Sequence, residues 1–126
     1  MKFNDEPHLV FRGFVKDLEK EFSESNFAIV PPGYPTGFRT KISEAYTYGL
    51  PVITGKDDGY GVGLNMDDLR VIITDNSQAY ADACVRLIQN KELRWKMGEI
   101  VFNTWREDYD SEKAIHDTAN WIRDNI

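Results

Sequence analysis

Apolar positions along this chain fall into short continuous runs separated by segments with helical spacing. His8–Phe11 (HLVF), Phe27–Val30 (FAIV), Pro51–Thr54 (PVIT) and Leu69–Thr74 (LRVIIT) are the runs. HLVF is stopped by Arg12-Gly13 and FAIV by Pro31-Pro32-Gly33, so all four read as strands, and FAIV as one buried on both faces. Val15–Ser23 places Val15, Leu18 and Phe22 at spacings of three and four, which predicts an amphipathic helix. A second helix is predicted from about Phe38 to Tyr48, stopped by Gly49, with Tyr46 and Tyr48 as packing residues. Asp75-Asn76-Ser77 offers caps for a third, Gln78–Gln89, whose apolar positions are Tyr80, Cys84, Leu87 and Ile88. Lys91–Glu107 and Ser111–Ile126 read as two more helices, the last capped by Ser111. Gly55–Asp68, with four glycines, reads as a mobile loop.

Alternation of such strands with helices predicts an α/β fold with a mainly parallel sheet of about four strands, followed by C-terminal helices. Ligands of such sheets bind outside the carboxyl ends of the strands. The loops Arg12–Val15, Pro31–Thr40 and Gly55–Met66 therefore become the places to look for chemistry.

Composition narrows the classes. The chain has 126 residues, enough for one domain spanning 1–126, and 15 Lys+Arg against 21 Asp+Glu give a net charge of −6. That balance argues against nonspecific nucleic-acid binding, which needs a basic face. No run approaches the ~18 apolar residues of a membrane span, and no secretory leader is evident at Met1–Pro7. The single cysteine, Cys84, reads as a buried reduced thiol on a helix face shared with Leu87 and Ile88. A cytoplasmic protein is the expectation. His8 and His116 have no companions at metal-ligand spacing, so no metal site is expected. Trp95, Trp105 and Trp121 read as packing residues of the helical C-terminal part, the alternative being docking against a further domain.

The informative stretch is Pro31–Thr54, PPGYPTGFRTKISEAYTYGLPVIT. Gly37 stands where the loop enters the helix, and Arg39 and Lys41 lie in the first turn. Unpaired amides and the positive dipole end of a helix favour an anion, and the two cations add donors. Glu44, three residues after Lys41, shares its face and can accept hydrogen bonds from a diol such as ribose. By spacing alone, a simple solvated pair on the helix surface is the favoured reading.

Gly37-x-x-x-Lys41-x-x-Glu44-Ala45-x-x-x-Gly49-x-Pro51-Val52-Ile53-Thr54 resembles the donor-binding signature of retaining glycosyltransferases of the two-domain GT-B fold, in the group 1/family 4 class. Phe11-x-Gly13-Phe14-Val15, Ala28-Ile29-Val30-Pro31, the series Tyr80, Ala83, Leu87, Ile88 and the pair Met97-Gly98 are similar to neighbouring elements of that family. The resemblance spans roughly Phe11 to Trp121. It implies a Rossmann-like three-layer sandwich, the C-terminal half of a GT-B enzyme, incomplete at its N-terminus.

By position, Lys41 would hold the donor diphosphate and Glu44 the ribose hydroxyls; these two carry the catalytic role. Amides around Gly37, Phe38, Arg39 and Thr40 would cradle phosphate or sugar, and Gly13-Phe14-Val15 would lie against the base. The substrate would be a nucleoside-diphosphate sugar such as a UDP- or GDP-sugar, with no cofactor and no metal.

Thr36 stands where many family members carry an additional glutamate, which leaves the sugar open. The family's first two strand–helix units and its acceptor domain have no counterpart here. An acceptor domain or second chain is thus an implied partner. Family strand order would leave a gap between HLVF and FAIV, filled either by their direct pairing or by a second copy in a homodimer through the exposed sheet edge. A non-catalytic nucleotide- or partner-binding module is the alternative to an enzyme. Gly59-Tyr60-Gly61-Val62-Gly63 does not form a dinucleotide fingerprint and reads as a flexible loop over the donor site; Asp57 and Asp58 read as solvated.

Overall fold

The computed structural model describes residues 6–31, 40–56, 71–108 and 110–126. Elements run α1 (Leu18–Ser23), β1 (Ala28–Val30), α2 (Thr40–Thr47), β2 (Val52–Gly55), β3 (Val71–Thr74), α3 (Ser77–Gln89), α4 (Lys91–Asp108) and α5 (Ser111–Asn125). Among the described residues the sheet has three strands in the order β1-β2-β3, all parallel. Ala28, Ile29 and Val30 pair with Val52, Ile53 and Thr54, which pair in turn with Val71, Ile72 and Ile73. The α/β class and parallel sheet match the expectation; the strand count is one lower.

The missing strand is His8–Phe11. It forms no ladder: the Leu9 amide donates to the Glu6 carbonyl in a local turn, and Leu9, Val10 and Phe11 are exposed. An apolar run becomes a strand only where a neighbour accepts its backbone hydrogen bonds. The expected direct pairing of HLVF with FAIV is therefore not found. FAIV itself departs from expectation, because Ile29 is 49% exposed and only Val30 of β1 is buried.

Two apolar clusters flank the sheet. On one face Val30, Val52, Val71 and Ile73 meet Ile42, Ala45 and Tyr46 of α2, Leu50 and Val101 of α4, with Phe22 and Trp105 against them. On the other, Ile53 meets Ala83 and Leu87 of α3 and Met97 of α4, with Ile72, Tyr80, Cys84 and Leu93 alongside. Tyr80 also donates its hydroxyl to the Ile53 carbonyl at 3.0 Å. Cys84 is half-buried in this second cluster, and burial raises its thiol pKa above the ordinary value. Ile88, expected on the same face, is exposed.

Local rules set the helix ends. Asp17 caps α1, accepting from the Lys20 amide at 3.0 Å, so the helix starts later than the predicted Val15. Asn76 caps α3, accepting from the Ala79 amide at 2.8 Å. Asp110, rather than Ser111, caps α5, because its carboxylate reaches the Glu112 and Lys113 amides. The Arg94 guanidinium donates to the Leu87 and Ile88 carbonyls at the end of α3.

Gly49 ends α2 at φ +65, with its amide bonded to the Tyr46 carbonyl and the Leu50 amide to the Ala45 carbonyl. This is the paired bonding of a Schellman stop. The same turn packs against α4 so closely that a Cβ at Gly98 would stand 2.6 Å from the Gly49 carbonyl oxygen. Tyr48 stacks on Phe22 at 4.9 Å between centroids. Of the three tryptophans only Trp105 packs against the core; Trp95 is 68% and Trp121 63% exposed.

Gly98→Ala is expected to destabilise the fold by about 1–3 kcal/mol, because the Gly49 carbonyl is backbone and cannot swing away; urea unfolding checks it. Cys84 alkylation by iodoacetamide at pH 8 is expected to be slower in the folded chain than in urea. The sign for stability follows: a thiol whose folded pKa is raised holds its proton longer than the unfolded chain, so stability falls as pH rises past the unfolded thiol value.

Candidate functional site

Parallel register brings the carboxyl ends of all three strands to one edge of the sheet: β1 runs into Pro31, β2 into Lys56 and β3 into Asp75. A cavity of about 520 Å³ lies there, lined by Pro31, Lys56, Thr74, Asp75, Asn76, Ser77 and Tyr80. Its inner wall is held in place by hydrogen bonds to the central strand. Thr74 donates to the Thr54 carbonyl at 3.5 Å and Tyr80 to that of Ile53. Asn76 spends both ends of its amide locally, accepting from the Ala79 amide and donating to Asp75.

Asp75, Asn76 and Ser77 were legible from sequence as helix caps but not as cavity lining. The signal that locates them is the rule already applied to the other loops, since they directly follow a strand.

Helix α2 rises from the segment that follows β1. Thr40 is its first residue, and Lys41 is exposed while Glu44 is half-buried. Ile42, Ala45 and Tyr46 bury the opposite stripe against the sheet, which fixes the helix's rotation. Lys41 and Glu44 thus stand one turn apart in the first half of α2, and among the described residues no ion pair joins them. Neither residue lines the 520 Å³ cavity.

Gly13, Phe14 and Val15 lie before α1. Gly13 has φ +60, Phe14 is 94% exposed and Val15 is half-buried. Arg12 lies 3.8 Å from Glu21, which ties this segment to α1. Gly37, Phe38 and Arg39 lie outside the described residues, as do Thr36, residues 57–68 of the segment expected to form a glycine-rich loop, with Asp57 and Asp58, and the first two residues of the predicted Leu69–Thr74 strand.

A second cavity, of about 470 Å³, opens at the opposite edge of the sheet, where Asn26 and Pro51 lead into the strands; Tyr48, Trp95 and Phe102 give it an aromatic wall. It lies away from the edge at which parallel sheets bind ligands. Among the described residues no cluster of His, Cys, Asp or Glu is arranged to hold a metal ion, and no helix is long and apolar enough to cross a membrane.

Comparison with known proteins agrees with the motif and the fold. A family model described as "Glycosyl transferases group 1" matches residues 2–90, from before HLVF to the end of α3. No curated protein and no solved structure matches the chain. Helices α4 and α5 lie beyond the matched span. With well over half its length matched, and with a parallel α/β sheet beneath the Lys41–Glu44 motif, the chain belongs to the group 1 glycosyl transferases.

Proposed function

We propose that this chain is the donor-binding domain of a glycosyltransferase, and that it holds a nucleoside-diphosphate sugar for transfer to an acceptor hydroxyl in glycan synthesis. The observation that carries the reading is the joint presence of family membership and of Lys41 and Glu44 on the outward side of α2, one turn apart and not paired with each other.

A diphosphate needs cationic and N–H donors, and a ribose needs an acceptor for its two hydroxyls. Lys41 supplies an ammonium in the first turn, where the helix dipole adds to its field. Glu44 supplies a carboxylate on the same face. The amides of Gly37, Phe38, Arg39 and Thr40, at the entry to that helix, would complete the phosphate cradle. Gly13, Phe14 and Val15 would lie against the base, for which the exposed Phe14 ring offers a flat apolar surface.

Transfer by such a domain relies on positioning the donor and stabilising charge on the departing diphosphate, rather than on a nucleophilic triad. Lys41 is the group suited to that stabilisation. Turnover would further need an acceptor face, supplied by another domain or a second chain.

Isothermal titration of the 126-residue chain with UDP, GDP and their sugars tests the reading. At least one nucleoside diphosphate is expected to bind, and Lys41→Ala to weaken it by about tenfold or more, the loss of a charge-assisted hydrogen bond. Glu44→Gln is expected to weaken the nucleotide but not inorganic pyrophosphate, which has no ribose. Both variants should keep the far-ultraviolet circular dichroism of the parent. Absence of binding to every nucleoside diphosphate, or affinities unchanged in both variants, contradicts the site.

A further inference from the structure

The cavity of about 470 Å³ at the amino-end edge of the sheet takes no part in the donor site, and its size falls within the roughly 300–1,000 Å³ of small-molecule sites. One face of α4 lines it, with Lys91, Trp95, Glu99 and Phe102 at spacings of four, four and three. The turn after α2, from Tyr48 to Pro51, lines it too, as does Asn26. The close approach of Gly98 to the Gly49 carbonyl brings helix and turn together.

Two of the three rings are held by others: Tyr48 stacks on Phe22 at 4.9 Å, and Phe102 packs against Trp105 at 6.1 Å. Trp95 is 68% exposed and, among the described residues, makes no ring contact. The Asn26 amide, the Lys91 ammonium and the Glu99 carboxylate make no hydrogen bond or ion pair with any described residue. Arg94, by contrast, is committed to the Leu87 and Ile88 carbonyls.

We propose that this cavity is a second binding site, for a neutral oligosaccharide, with Trp95 as the platform on which a sugar ring stacks. The lining separates three ligand classes. An anion would be drawn by Lys91 but repelled by Glu99. A quaternary ammonium would suit the rings and Glu99, but Lys91 would repel it and it could not use the N–H donors of Asn26. Sugar hydroxyls both donate and accept, so they can take the Asn26 and Lys91 donors and the Glu99 oxygens together. The weakly positive C–H face of a pyranose also lies well on the negative face of an indole. Trp95 and Phe102 are seven residues apart, two turns or roughly 10.5 Å along α4, a span that suits two linked sugar rings rather than one. Such a site uses neither Lys41 nor Glu44 and stands whether or not the donor reading does.

Titration of the full, isotope-labelled chain with maltohexaose, cellopentaose, mannopentaose and chitotetraose, followed by amide and indole N–H shifts in magnetic resonance spectra, tests the proposal. At least one sugar is expected to bind with a Kd of about 1 mM or tighter, moving the signals of Asn26, Tyr48, Trp95 and Glu99. Trp95→Ala should weaken binding at least tenfold and Trp95→Phe, which keeps a ring, by less than about threefold. Asn26→Ala and Glu99→Gln should each weaken it by about threefold to tenfold. These side chains are exposed, so the far-ultraviolet circular dichroism should not change, nor should the affinity for UDP or GDP. Tetramethylammonium and inorganic phosphate should leave the same signals in place. No binding of any of the four sugars, shifts confined to other residues, binding indifferent to Trp95→Ala, or a response of these residues to the cation or the anion but not to a sugar overturns the proposal.

Discussion

Complete burial of β2 is the constraint on which the rest of this molecule depends. Val52, Ile53, Thr54 and Gly55 are all buried, and β2 alone among the described strands has a neighbour on each side. Parallel strands sealed on both faces require helices on both faces. Val52 recruits α2 and part of α4 on one side, and Ile53 recruits α3 and the rest of α4 on the other. The return from α2 to β2 must be tight, and Gly49 makes it so with its left-handed turn while its carbonyl stacks against Gly98. The position of the Lys41–Glu44 pair is a consequence: once Ile42, Ala45 and Tyr46 are committed to the core, those two side chains have only the outward side left.

That dependence explains which parts of the molecule were readable in advance. Pro51–Thr54 was legible because a short, largely apolar run admits almost no other fate than a central strand, and the helix at Gln78–Gln89 because Asp75-Asn76-Ser77 offers caps just before it. HLVF was not, because its composition is as strand-like as that of PVIT and the difference lies in whether an edge accepts its hydrogen bonds. Ile29 and Ile88 show the same limit, since an apolar side chain is buried only where another element covers it. Trp95 and Trp121 lie on helices whose packed face is fixed by Met97 and Val101 in one case and by no core contact in the other. Of the site, the one-turn relation of Lys41 and Glu44 follows from helical spacing alone, whereas the cavity around Thr74–Ser77 depends on how three strand ends are brought to one edge.

Charge and ligand class are consistent once the scale is local. A chain of net charge −6 would repel a diphosphate at long range, but salt screens that field within roughly 10 Å, and the start of α2 presents an ammonium on a positive dipole end. The two cavities differ in the same terms. The one at the strand carboxyl ends is bordered by polar groups and the start of α3, while the one at the opposite edge is walled by aromatic rings.

The central claim is that ligand binds at the carboxyl-end edge of the sheet, beside α2. Mapping backbone amide shifts in nuclear magnetic resonance spectra during titration with a nucleoside diphosphate tests it most directly. The account predicts the largest shifts in residues 37–44, with smaller ones at 13–15. Shifts concentrated instead around Tyr48, Trp95 and Phe102, at the other end of the sheet, would contradict it.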